Sequence, residues 1–98
     1  MHSITTNSIV FQAKDQLSCE LGGEAAILNM ENGVYYGLDP VGARIWELIK
    51  ARYAVADIRD RVVAEYDVDV GRCEHDLLML LEQLAAERLI EVQDGGAA

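Results

Sequence analysis

At 98 residues, 51% of them hydrophobic and 26% charged, the chain has the length of one small domain that buries roughly 65% of its unfolded surface. Its 17 acidic residues against 8 basic give a net charge of −9, which disfavours nucleic acid and anionic membrane surfaces, since both draw affinity from Lys and Arg. No run of about 18 apolar residues is present to span a bilayer, and Met1 to Asn7 lacks the basic flank and apolar centre of a signal peptide, so the expected location is cytoplasmic.

Residues 1–8 and 94–98 read as loose ends of a single domain spanning 1–98. Ile9 to Phe11 reads either as a short strand or as a segment lying against the body. Leu17, Cys19 and Leu21 alternate with Ser18 and Glu20, the period of a half-buried strand, closed by Gly22-Gly23. Ala25 to Met30 is apolar enough for a buried strand, Asn32-Gly33 suits a type I′ turn, and Val34 to Leu38 returns. Asp39 can cap a helix whose first position tolerates Pro40, so the sheet stops at Leu38.

That first helix carries Val41, Ile45, Leu48 and Ile49 at helical spacing, with Trp46 widening the stripe over the sheet, and ends near Lys50 to Tyr53. A second helix from Val55 to Tyr66 sets Val55, Ile58, Val62, Val63 and Tyr66 on one face. Asp67 or Asp69 caps a third, running to Arg88, after which Leu89 to Val92 is extended. Three strands followed by three helices predict an α+β domain.

Little in the chain suits catalysis. There is no nucleophile elbow, phosphate-binding loop, dinucleotide fingerprint or zinc pattern, and neither a cofactor nor a metal is expected. Cys19 and Cys73 stand in different elements and read as small core hydrophobes. Cys73, Glu74 and His75 look like a ligand trio, yet helix positions two apart point about 200° from one another. His75 reads as a solvated helix residue.

The third helix carries more apolar surface than one contact needs. Cys73, Leu77, Leu80, Leu81 and Leu84 form a stripe widened by Leu78 and Ala85, while Met79 falls outside it, with Asp76 and Gln83 beside the Leu80 border. A groove running there is one reading; Met79 as a scattered surface residue is the other. Val34 to Leu38 has one strand neighbour only, so its free edge offers unpaired N–H and C=O groups to a guest strand. Tyr36 and Leu38 share the face expected to meet the helices, and Tyr35 faces away.

The runs NGVYYGLDPVGARIW (32–46), AEYDVD (64–69) and DLLMLLEQLAAERLI (76–90) together resemble the coenzyme PQQ synthesis protein D family, the recognition elements for ribosomally made, modified peptides, and within it the free-standing type of lasso peptide clusters. The resemblance implies a winged helix-turn-helix: a three-stranded antiparallel sheet followed by three helices. It implies a non-catalytic adaptor that binds the leader segment of a precursor peptide by strand addition. Val34, Tyr35 and Tyr36 on the strand, with Asp76, Met79, Leu80 and Gln83 on the helix, would hold the leader. Partners would be a leader-cleaving cysteine protease and an ATP-dependent cyclase; in other branches the family serves radical enzymes and quinone-cofactor biosynthesis.

Two other functions follow from single features. A winged helix could read DNA, but Glu74, Asp76, Glu82 and Glu87 on the third helix give it the wrong sign. An acidic carrier protein needs a serine at a helix start, and Ser3, Ser8 and Ser18 all precede the helices.

Overall fold

Paired glycines tolerate φ > 0 at two successive positions, the requirement of a type I′ turn. In the computed structural model, which describes residues 4–93, Gly22 and Gly23 take that role, with φ of 61° and 85°. They join β2 (Gln16–Leu21) to β3 (Glu24–Asn29) in a hairpin with Leu21 opposite Glu24. The expected I′ turn at Asn32-Gly33 does not form, because only Gly33 has positive φ. A five-residue loop, Met30 to Val34, forms there instead: the Gly33 N–H donates to the Asn29 carbonyl at 2.8 Å, and the Asn32 side chain accepts from the Val34 N–H at 2.9 Å. The return strand β4 (Tyr35–Leu38) begins one residue later than the sequence suggested, so Val34 belongs to the loop.

The sheet order is β2-β3-β4, antiparallel throughout. A strand β1 (Ile9–Gln12) precedes it and pairs antiparallel with β5 (Ile90–Gln93) in a separate two-stranded sheet. Four strands therefore precede the first helix, not three. Residues 4–8, expected to be loose, are packed: Ile4 and Ser8 are buried, and Thr6 and Ser8 carbonyls accept from Ala56 and Val55 N–H groups.

Helix α1 (Pro40–Ile49) is capped by Asp39, whose side chain accepts from the Gly42 N–H at 2.8 Å. Helix α2 (Val55–Tyr66) ends with Asp67 in the left-handed region, and α3 (Val70–Ala86) starts at Asp69, which accepts from the Arg72 N–H. The helix-turn-helix of α2 and α3, with the β2-β3-β4 sheet as its wing, is the expected winged arrangement. Ile27, Trp46, Ile49, Ile58, Leu77 and Leu81 form the centre of the core between sheet and helices. Cys73 is buried as expected, but Cys19 is exposed, because β2 turns Leu17 and Cys19 to the side of the sheet away from the helices. Period-2 alternation identifies the two faces of a strand without saying which one is covered. No helix among the described residues is long and apolar enough to cross a membrane.

Helix α3 stops two residues short of Arg88. Arg88 takes φ 58°, its N–H donates to Ala85, and the Leu89 N–H donates to Leu84 at 2.9 Å, with Leu84 and Leu89 both buried. This is a Schellman stop with arginine where glycine is normally found. Arg88→Gly removes the left-handed penalty and is expected to raise stability by about 1 kcal/mol, seen as a melting temperature higher by about 4–8 °C.

Glu20 on β2 lies against Glu47 of α1. Hydrogen bonding to Glu47 and its like charge hold the Glu20 carboxyl above its ordinary 4.5, with Lys50 partly offsetting them. The folded state thus keeps this proton to higher pH than the unfolded chain, and stability falls as pH rises through the interval above 4.5. Glu20→Gln is expected to flatten that fall, read as the pH dependence of the urea midpoint.

Candidate functional site

In an antiparallel ladder, hydrogen-bonded pairs alternate with non-bonded ones. The Asn29 N–H donates to the Val34 carbonyl at 2.9 Å. Stepping two residues along each strand makes Ile27 with Tyr36 and Ala25 with Leu38 the bonded pairs, which turns the N–H and C=O of Tyr35 and Gly37 to the open side of β4. No strand among the described residues covers that edge. A Cβ added at Gly37 would meet nothing within 4 Å.

Beside the edge lies a cleft of about 770 Å³ between β4, the N-terminal end of α1, the C-terminal end of α2 and the face of α3. Its floor is apolar, with Leu38, Ile45, Val62 and Leu77, all buried. Tyr66 and Val68, 39% and 42% exposed, carry it to the turn between α2 and α3, and Val41 forms part of the α1 wall. Sequence reasoning assigned Val41 and Tyr66 to the core and missed their place here, because a helical wheel cannot separate a groove wall from a core contact. For Tyr66 the signal was proximity in sequence to apolar Val68 and Val70, which a polar turn does not require; Val41 had none.

Asp39, Asp69, Arg72 and Asp76 supply charge around the cleft. Asp39 and Asp69 are committed to their helix caps, whereas Arg72 and Asp76 approach at 3.6 Å with side chains 82% and 62% exposed. Such an exposed pair is weak, and Asp76 can exchange it for another cation or an N–H donor. Burial pushes the Cys73 thiol up, and its S–H lies 4.0 Å from the Arg59 carbonyl. A protonated, buried thiol is a poor nucleophile.

Of the residues singled out from the sequence, Tyr36, Asp76 and Leu80 line the cleft. Leu80 is half-buried, and with Cys73 and Leu77 it gives the α3 stripe three members along the cleft. Gln83 accepts a hydrogen bond from the Tyr36 hydroxyl, tying β4 to α3. Met79 is 51% exposed on the flank of α3 and is not part of the lining. Val34 lies in the hairpin loop, and Tyr35, 70% exposed, sends its side chain to the opposite sheet face while its backbone faces the open edge. Among the described residues no group of three or more His, Cys, Asp or Glu could hold a metal ion.

The family model for coenzyme PQQ synthesis protein D (PqqD) matches residues 24–90, a span running from the start of β3 into β5. The fold is similar to a solved structure described as TbiB1 in complex with the TbiA(beta) leader peptide, at a TM-score of 0.78 and 35% sequence identity, over 90% of this chain and 98% of that one. Among curated proteins no sequence matches the chain at a significant level.

Proposed function

Because the chain belongs to the coenzyme PQQ synthesis protein D family, we propose that it is a recognition element that binds the leader segment of a ribosomally made precursor peptide. The observation that carries this reading is the open β4 edge running beside an apolar cleft. A leader adding as a strand would bond to the N–H and C=O of Tyr35 and Gly37, and its alternate side chains would enter the cleft against Tyr36 and Leu80. Backbone bonds supply affinity without regard to sequence; the pockets supply choice. Asp76, held only by an exposed partner, would receive a cation or N–H donor of the leader. The leader-bound state of the similar TbiB1 structure supports the same use of the fold.

The adaptor has no chemistry of its own in this reading and acts by presenting the peptide. In the lasso type, to which the NGVYYGLDPVGARIW run is similar, its partners are a leader-cleaving cysteine protease and an ATP-dependent cyclase. Titrating a fluorescent leader peptide from the same pathway is expected to give saturable binding. Leu80→Ala, which shortens a half-buried cleft wall, is expected to weaken it about tenfold. Absence of saturable binding by the unaltered protein would end the proposal.

A further inference from the structure

The cleft beside β4 is closed at one end. On the strand its lining begins at Tyr36 and continues through Leu38 to Asp39, and on α3 it stops at Leu80. Gln83 lies in the next turn of α3, about 4.5 Å farther along the helix axis, and there its side chain accepts from the Tyr36 hydroxyl. Among the described residues this is the one hydrogen bond that joins β4 to α3. The gap between the two elements is therefore open on the Leu38 side of the bond and bridged at Tyr36.

The bridge is braced from another side of the helix. Glu82, the residue before Gln83, accepts from the Ile4 N–H at 3.0 Å, and the buried Ile4 side chain joins that segment to the core. Successive helix positions diverge by about 100°, so the two bonds fasten one turn of α3 to two different neighbours. A shift of α3 at this turn disturbs both.

We propose that the pair of Tyr36 and Gln83 is the end wall of the leader cleft and decides which side chain of the leader can be large. The inference rests on the peptide-binding reading above. An antiparallel guest strand bonded to Tyr35 and Gly37 sets its other residues opposite Tyr36 and Leu38 as non-hydrogen-bonded pairs, with Cα atoms about 4.5 Å apart and side chains at their closest. Both of these guest side chains turn toward the helices, as those of Tyr36 and Leu38 do. The one opposite Leu38 finds the apolar floor of Ile45, Val62 and Leu77. The one opposite Tyr36 meets a ring and an amide already joined across the gap. The first position takes a bulky apolar side chain, the second a small one such as glycine, alanine or serine. Since the two positions are alternate residues of one strand, the wall sets register as well as choice: a slip by two residues carries the bulky side chain onto the bond. The guest also shields the bond from water, and a hydrogen bond strengthens as its surroundings lose dielectric screening.

The test uses the full-length chain, a fluorescent leader from the same pathway and single tryptophan replacements along the leader's strand. With the unaltered protein, one replacement is expected to weaken binding at least about tenfold relative to the replacement two residues away, where tryptophan enters the cleft. The readout is this ratio, which a uniform loss of affinity does not move. Gln83→Leu keeps the bulk but has no acceptor, and Tyr36→Phe keeps the ring but has no donor. Each is expected to bring the ratio down to about threefold or less. Gln83→Glu still accepts from the hydroxyl and is expected to hold the ratio near its original value, which sets the bond apart from packing alone. Melting curves verify that each variant is folded, and the two ends of the bond provide independent variants. A ratio unchanged in both Gln83→Leu and Tyr36→Phe overturns the proposal, as does equal tolerance of tryptophan at all helix-facing leader positions by the unaltered protein. Failure of the unaltered protein to bind the unaltered leader strikes the peptide-binding reading instead.

Discussion

Replacing Trp46 by alanine is expected to remove about 3–5 kcal/mol of the domain's stability, the largest loss predicted for a single substitution here. Trp46 lies on α1, is 2% exposed, and belongs to the core cluster between α1 and the sheet. Truncating a buried aromatic side chain to alanine costs about 3–5 kcal/mol, through lost transfer energy and the cavity left behind. A small domain holds roughly 5–15 kcal/mol in all, and this one also tolerates a left-handed arginine and a pair of apposed carboxylates. Trp46→Phe is expected to cost only about 1 kcal/mol. It keeps most of the aromatic volume and removes an indole N–H that is buried without an acceptor among the described residues, whose desolvation is itself unfavourable. Since Trp46 is the chain's one tryptophan, urea unfolding is best followed by far-ultraviolet circular dichroism. Equal losses for the two variants would contradict this account.

Gly37→Pro is expected to abolish leader binding to within the limit of a titration, a loss of at least about a hundredfold, while the fold survives. Proline within a sheet is tolerated on an edge strand when its missing N–H would have faced outward. The ladder gives Gly37 that orientation, and the added ring has open space around the Cβ position. The substitution removes one of two open-edge donors and puts the ring where an incoming strand must lie. Gly37→Ala is the control: it keeps the N–H and meets nothing within 4 Å, so affinity is expected to stay within about twofold. Anisotropy titrations of both variants, with melting curves to verify folding, make the measurement. Unimpaired binding by Gly37→Pro would exclude strand addition at β4.

Local signals in the sequence carried most of the architecture. Asp39-Pro40 sets the start of α1, and the apolar spacing from Val55 to Tyr66 gives the bounds of α2, because a cap, a fixed φ and a 3.6-residue period act within a few residues. The Tyr36 and Tyr35 faces also followed from alternation. Failures came where the deciding contact is distant. Nothing local in Ile9 to Gln12 announces Ile90 to Gln93 as its partner, and nothing in Leu17 and Cys19 reveals that their side is covered by no element among the described residues. The turn chemistry was exchanged between two glycine sites: Asn32 keeps negative φ because its side chain can accept from Val34 and close a longer loop. The candidate site was half legible. Tyr36, Asp76 and Leu80 emerged from the strand edge and the α3 border, but the Val41 and Tyr66 walls exist only once three helix ends converge.

The pairing of β1 with β5 sets Ile9 across from Gln93. The first and last strands of the fold therefore lie side by side, at a strand spacing of about 5 Å. A unit whose terminal strands lie side by side can be spliced into a surface loop of another protein without pulling that loop far apart.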